Sequence, residues 1–147
     1  MKLLIQRVTR AKVSVEGELI GEIGPGLLLF LGIHRGDDGA EVVWFVDRAI
    51  HLRIFQDRSD KMNFSVQDVG GEVLLVSQFT LYAECQTGRR PSFVEAMPSE
   101  EAEIVYAMFF SELRRRLGEQ RVVSGNFGFH MQIELVNDGP VTILLTK

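Results

Sequence analysis

The chain has little of several residue types that would narrow its chemistry. Among 147 residues it holds one cysteine, Cys85, and three histidines. A single cysteine cannot form an internal disulfide, so nothing in the sequence indicates an oxidising compartment. His34, His51 and His130 are far apart and have no Glu or Cys at ligand spacing, so no metal signature is present. We expect a protein without a metal or any other cofactor.

The sequence also lacks a long apolar run and an excess of positive charge. No run approaches the roughly 20 apolar residues that a membrane helix needs, and charge interrupts the first seven residues too early for a signal peptide. We therefore expect a cytoplasmic protein. The formal net charge of −4 argues against a protein that coats nucleic acid through its bulk potential. Two local basic runs, Arg89-Arg90 and residues 114–116, are more typical of solvated surface.

The order of the predicted elements indicates the fold class. Patterns of period two, and two continuous apolar runs, predict strands that include residues 3–8, 11–15, 18–23, 27–31 and 72–79. The continuous runs, 27–31 and 73–76, are expected to be buried on both faces of a sheet. Helical spacing predicts two main helices, at about 40–52 and 99–117, with Ser99 as the cap of the second. Because strand and helix do not alternate regularly, we expect one α+β domain over residues 1–147, with mostly antiparallel sheets in a sandwich-like or barrel-like arrangement.

A proline in an unusual place lies near the end of the chain. Residues 137–142, Asn-Asp-Gly-Pro-Val-Thr, join two apolar runs, so a turn between two strands is predicted. Pro140 leads directly into the second run, where it removes a ladder donor. Its bond to Gly139 belongs to the X–Pro class, in which the cis form occurs. So costly a bend prompts a search for another motif that would use it.

Ser77-Gln78-Phe79-Thr80 is that other motif, at the point where the central apolar strand emerges. Following chain order, we call it the first motif and residues 137–142 the second motif. Backbone N–H groups at such an end can face a ligand, and these side chains offer donors and acceptors. By spacing alone an ordinary polar strand end is the better interpretation. The connection over residues 83–98 exceeds the usual loop length, which favours a functional loop.

The two motifs together resemble the signature pair of the D-aminoacyl-tRNA deacylases, also called the D-Tyr-tRNA deacylase family. The resemblance covers essentially the whole chain. Supporting matches are Leu-Ile-Gln-Arg-Val at residues 4–8, Gly70-Gly71, and residues 53–55, 61–63 and 90–93. Neither motif departs from the family pattern.

The resemblance implies an enzyme that hydrolyses the ester between a D-amino acid and the terminal adenosine of tRNA. Glycine attached to a wrong tRNA would also be a substrate. It further implies a homodimer with active sites at the subunit interface, where a cis Gly139-Pro140 segment from one subunit enters the pocket of the other. The carbonyls of Gly139 and Pro140 would face the substrate amino group and leave no room for an L side chain.

The resemblance also implies roles for the first motif. The Phe79 N–H would supply the oxyanion contact, while Ser77, Gln78 and Thr80 shape the site. Catalysis would be assisted by the 2′-OH of the terminal ribose. Thr80 would position rather than attack, because an internal threonine has no free amine to activate it.

Several further residues are candidates for supporting roles. Arg7 could hold the Gly-Pro loop through its carbonyls, Met131 could line the pocket, and Asn137 belongs to the second motif. Local basic residues could meet the tRNA phosphates, and the candidates are Arg89, Arg90 and Lys2.

Two other functions stay open from the sequence. One is a hydrolase that uses Thr80 as a nucleophile on small esters, which predicts activity without RNA. The other is a non-catalytic β-rich module that binds RNA or protein, in which the Gly139-Pro140 turn is merely a dimer contact. It predicts binding without turnover.

Overall fold

The computed structural model describes all residues, 1–147. It contains two helices, a six-stranded sheet and a two-stranded hairpin. The strands are β1 (Lys2–Val15), β2 (Glu18–Ile23), β3 (Gly26–Gly32), β4 (Phe55–Gln56), β5 (Met62–Phe64), β6 (Glu72–Ser77), β7 (Val122–Ser124) and β8 (Gln132–Thr146). The helices are α1 (Val42–His51) and α2 (Ser99–Leu117). Neither helix is long and apolar enough to cross a membrane.

The main sheet is mixed and curls toward a barrel, so the predicted α+β class is confirmed. The long strand β1 pairs antiparallel with β2, β3 and β8. Beyond β3, strands β6 and β7 continue the sheet with parallel pairing. This parallel half matters for function, because the carboxyl ends of β3, β6 and β7 meet at one edge of the sheet.

The continuous apolar runs are buried on both faces of the sheet, as predicted. Leu27 and Leu29 join a large core between the sheet and the two helices, which includes Phe45 and Phe109. Leu28, pointing the other way, joins a smaller core on the opposite face. Alternate side chains of one strand therefore stabilise two separate apolar clusters, which is why no position in the run is polar.

Two predictions of separate strands are wrong. Residues 3–8 and 11–15 belong to the single strand β1, and the predicted closing turn lies inside the single strand β8. The two strands pair along most of their length, with Val8 opposite Asn137 and Gln6 opposite Thr142. Four residues of β8, 138–141, thus lie opposite Arg7 alone. The Asn-Asp-Gly-Pro segment forms a wide bulge and not a hairpin, because β1 continues beside it and holds both flanks in one ladder.

Arg7 occupies the space that the bulge opens, and its side chain is only 4% exposed. Its Nε lies 3.0 Å from Oδ2 of Asp138 and also donates to the Asp138 carbonyl at 3.3 Å. Its Nη1 donates to the Ile54 carbonyl, just before β4. A guanidinium presents several donors in a rigid plane, so one side chain joins β1, the bulge and the segment after α1.

The start and end of α2 differ from a simple surface helix. Ser99 is its first residue and not its cap; Pro98 precedes the helix, and no side chain caps it. At the other end, Glu112 receives hydrogen bonds from Arg115 at 2.7 Å and from Arg116 at 2.9 Å. Arg114 pairs with Glu119 at 2.9 Å. The basic run 114–116 is therefore neutralised within the chain.

The Arg7–Asp138 pair yields a stability prediction. Asp138→Asn should lower the free energy of unfolding by about 1–3 kcal/mol, because it leaves a buried guanidinium without its charged partner. Urea denaturation at pH 7 measures the change. The matched control is Glu134→Gln, which removes an ion pair to Lys12 that also joins β1 to β8 but is exposed on both sides; it should cost under about 1 kcal/mol. Equal costs for the two variants would contradict the structural role of Arg7.

Glu112 yields a prediction about acid stability. The hydrogen bonds from Arg115 and Arg116 lower its pKa to about 2. A carboxyl whose pKa is depressed on folding stabilises the protein fully above its unfolded pKa, and this stabilisation is lost as the pH falls through about 4.5 to 2. Glu112→Gln should therefore be less stable than the parent at pH 6 and approach it near pH 2.5, as followed by thermal unfolding. Glu119→Gln is the control. If the thermal stabilities of the parent and Glu112→Gln changed in parallel with pH, the depressed pKa of Glu112 would be refuted.

Candidate active site

A cavity of about 680 Å³ lies at the carboxyl ends of the parallel strands. It opens where β3, β6 and β7 end and the segments that follow them begin. In open sheets with parallel strands this edge is the usual place for a ligand, and the volume falls in the range of small-molecule sites. The lining residues are mostly apolar and come from these segments, from the end of the 83–98 connection and from the start of α2.

Backbone hydrogen bonds fix the walls of the cavity to the sheet. The Gln78 N–H donates to the Leu31 carbonyl at 2.8 Å, and the Met97 N–H donates to the Ile33 carbonyl at 3.0 Å. These bonds continue the sheet pattern beyond the strand ends. The cavity is thus built on the rigid part of the fold, although its lining comes from loops.

Aromatic rings form two sides of the cavity. Phe79 and Phe93 meet edge to face with 5.0 Å between ring centroids. On another side, Phe127 packs on Tyr106 of α2 at 5.4 Å. The Tyr106 hydroxyl donates to the Leu75 carbonyl at 2.9 Å, and burial raises the pKa of this phenol. Tyr106 therefore remains a donor and ties α2 to the strand that carries the first motif.

The first motif turns sharply after β6. Residues Phe79–Tyr82 form one 3-10 turn. Because Phe79 is the first residue of this turn, its N–H has no acceptor within the turn. The Gln78 side-chain amide donates to Oγ1 of Thr80. Lys2 holds the far end of the turn, donating from Nζ to the Leu81 carbonyl at 3.0 Å.

Lys2 is fixed by a ring as well as by that carbonyl. Its ammonium lies 4.6 Å from the centroid of Tyr82. Burial, followed by the charges of Asp37 and Glu41, raises the pKa of Tyr82 to about 12. The ring stays neutral and polarisable beneath the cation at physiological pH. Lys2 is therefore a support for the turn of the first motif.

The second motif is held by its own side chains. The Asn137 amide donates from Nδ2 to Oγ1 of Thr142 at 2.9 Å, and its Oδ1 accepts the Val141 N–H at 3.3 Å. Asn137 thus closes the base of the bulge. At its tip, Gly139 has φ of +116° and the Gly139–Pro140 peptide is cis. A Cβ on Gly139 would lie 2.9 Å from Nη2 of Arg7, so only glycine fits here without displacement.

The predicted site residues fall into two groups in one chain. Ser77, Gln78, Phe79 and Met131 line the cavity. Thr80 lies beside it, with its hydroxyl bonded to Gln78. The other group belongs to the bulge and does not line the cavity; its members are Arg7, Asn137, Gly139 and Pro140. Gly139 and Pro140 are exposed at the surface.

No histidine forms a hydrogen bond with Thr80 through which it could act as a general base. His34 Nε2 lies 3.0 Å from Oε2 of Glu95, and His51 Nδ1 lies 2.9 Å from the Asp47 carbonyl. His130 lines the cavity, but the hydroxyl of Thr80 is bonded to the Gln78 amide. An amide cannot accept the proton of a nucleophile as an imidazole can.

Several lining residues were missed by the sequence analysis. Phe127, Phe129 and His130 form one side of the cavity, in the segment between β7 and β8. No pattern within the segment signals this placement, because it depends on how the segment packs against distant parts of the chain. Phe93, from the long connection over residues 83–98, also lines the cavity.

Comparison with known proteins assigns the family. The family model described as D-Tyr-tRNA(Tyr) deacylase matches residues 4–146. Proteins named D-aminoacyl-tRNA deacylase are 52% identical in Thermomicrobium roseum (99% of this chain, 93% of the relative) and 50% identical in Pelobacter propionicus (100% of both).

Solved structures agree with that match. A structure described as c-Myc DNA Unwinding Element Binding Protein superposes with a TM-score of 0.94 at 44% identity, covering 100% of this chain and 99% of that one. A probable eukaryotic D-amino acid tRNA deacylase, 18% identical, shares the fold with a TM-score of 0.85 over 98% and 97% of the two chains. The resemblance carried by the two motifs is thus confirmed, and the chain belongs to the D-Tyr-tRNA(Tyr) deacylase family.

Proposed function

We propose that the protein hydrolyses the ester bond of D-aminoacyl-tRNA and of glycine mischarged on tRNA, releasing free tRNA and the amino acid. The observation that carries the proposal is the cavity at the end of β6, where the N–H of Phe79 has no acceptor in its own turn. Family membership supports the substrate class, since the relatives described above are named for it.

The cavity suits the aminoacylated end of tRNA. Its apolar and aromatic walls can receive a nucleobase and the amino acid side chain, and a volume of about 680 Å³ accommodates both. With the ester carbonyl directed at the Phe79 N–H, this donor stabilises the oxyanion of the tetrahedral intermediate. Ser77 and Gln78 fix the geometry of the turn around that donor.

Selectivity in this proposal comes from exclusion. The carbonyls of Gly139 and Pro140 face the amino group of the bound residue, and an L side chain has no space beside them. A backbone wedge cannot rotate away as a side chain can, and Arg7 and Asn137 hold it from behind. A filter of this kind admits glycine, because glycine has no side chain to exclude.

The wedge reaches the cavity from a second copy of the chain. Within one chain the bulge lies outside the cavity lining, so an intramolecular wedge has no support. A homodimer is favoured by the outer face of β8, where Val136 and Leu144 flank the bulge with 40% and 54% exposure. Apolar side chains on both sides of an exposed motif are typical of a surface that is covered by a partner.

Hydrolysis itself uses water and the substrate. Water attacks the ester carbonyl carbon, the 2′-OH of the terminal ribose assists transfer of the water proton to the 3′-oxygen, and that oxygen leaves with the proton. Thr80 orients the site through Gln78 and forms no covalent intermediate. The hydrogen bond between Thr80 and an amide supports this role over that of a nucleophile.

Selective release is the direct test of the proposal. Incubation with D-tyrosyl-tRNA, L-tyrosyl-tRNA and glycyl-tRNA should release the amino acid from the first and third and leave the second intact beyond its spontaneous hydrolysis. Release is followed by acid precipitation of labelled substrate. Equal release of the D and L esters would reject the exclusion filter, and release from no tRNA would reject the enzymatic function.

A second test concerns the source of activation. Thr80→Ala should retain substantial turnover of D-tyrosyl-tRNA, whereas tRNA ending in 2′-deoxyadenosine should lose most of it with the parent enzyme. Single-turnover rates measure both effects. Gln78→Ala serves as a comparison, because it removes the other half of the same hydrogen bond. An inactive but folded Thr80→Ala variant together with a trapped acyl-enzyme would establish Thr80 as the nucleophile instead.

A further inference from the structure

The free positive charge of this acidic protein is concentrated in few places. Most lysines and arginines are held by a carboxylate, a backbone carbonyl or an aromatic ring of the chain itself; they are Lys2, Arg7, Lys12, Arg35, Arg48, residues 114–116, Arg121 and Lys147. Arg89 and Arg90 have no ion pair and are exposed. They form the one pair of adjacent arginines that is left without a carboxylate partner.

The loop that carries this pair is a small ordered hairpin. Glu84 and Ser92 exchange two backbone hydrogen bonds, of 2.8 and 2.9 Å. The Glu84 carboxylate accepts the Gln86 N–H at 2.5 Å, and neither arginine forms an ion pair with it. Gly88, with φ of +75°, makes the turn. The hairpin therefore presents both guanidinium groups at its tip.

The tip of the hairpin is connected to the cavity wall through Phe93. Phe93 follows Ser92 directly and packs against Phe79, so the base of the hairpin is part of the cavity wall. Phe93 is three positions after Arg90 in the chain, and three steps of the chain span at most about 11 Å between Cα atoms. Because Phe93 lines the cavity, the backbone of Arg90 lies within that distance of the cavity wall.

We propose that Arg89 and Arg90 bind backbone phosphates of the single-stranded 3′ end of the tRNA whose terminal adenosine occupies the cavity. The proposal rests on the proposed function and extends it to the path of the RNA. An exposed guanidinium binds phosphate through two parallel charge-assisted hydrogen bonds. Contacts to phosphate add affinity without reading sequence. They also allow a chain with a net charge of −4 to attract a polyanion locally.

Charge reversal tests the proposal. Arg89→Glu/Arg90→Glu should raise KM for D-tyrosyl-tRNA about tenfold or more with little change in kcat. Hydrolysis of D-tyrosyl-adenosine, which carries no phosphate, should be unchanged. The matched control is Arg58→Glu/Lys61→Glu, which makes the same change in net charge on exposed residues between β4 and β5, outside the cavity lining; it should leave KM near that of the parent.

The salt dependence gives a second readout. Arg89→Gln/Arg90→Gln should reduce the slope of log KM against log salt concentration by about 1.4, since each contact to single-stranded nucleic acid contributes about 0.7. An unchanged KM and slope, or an equal loss of activity on D-tyrosyl-adenosine, would overturn the proposal. Binding of deacylated tRNA, measured by fluorescence anisotropy, separates failure of the proposed function from failure of the phosphate contacts. If the parent hydrolyses no substrate, weaker tRNA binding by the variant still supports phosphate binding by Arg89 and Arg90. Equal binding by parent and variant rejects it.

Discussion

The buried guanidinium of Arg7 joins the parts of the molecule on which the second motif depends. Strand β8 leaves its ladder with β1 for four residues and resumes pairing with a shifted register. The gap that this leaves is filled by Arg7, which donates to Asp138 and to the Ile54 carbonyl. Without such a group the bulge would expose a cavity lined by unpaired carbonyls. One long side chain thus lets a projecting, glycine-containing segment keep a defined shape.

The cavity depends on a different property of the same sheet. Parallel pairing of β3, β6 and β7 brings three chain exits to one edge, and the residues that follow them supply most of the lining. The apolar rings form the walls, while the proposed oxyanion donor is a backbone group at the start of a turn. In the proposed enzyme, catalysis and selectivity are separated in the chain: Phe79 belongs to the cavity, and Gly139-Pro140 belongs to the bulge.

Much of the fold could be predicted from patterns within short segments of the sequence. Particular residues show what such patterns could not predict. The run at residues 27–31 predicted a strand buried on both faces, because no solvated position interrupts it. The turn predicted at residues 137–142 was wrong, because Asn-Asp-Gly is typical of a hairpin and nothing local reveals that β1 pairs with both flanks. Lys2 and Arg89 are equally charged in the sequence, yet only the fold shows that Lys2 is bound to a carbonyl and a ring.

The sequence by itself determined the element types, the two motifs and the family, since apolar period, turn residues and motif order are local and need no contact information. The tertiary structure alone decided that β1 and β8 are continuous, that Arg7 lies in the bulge and that residues 114–116 are neutralised by Glu112, Glu119 and Asp47. It also brought Phe127 and His130 to the cavity. These facts depend on pairs of residues far apart in the chain, whose meeting is fixed by packing and strand pairing and by no pattern within either segment.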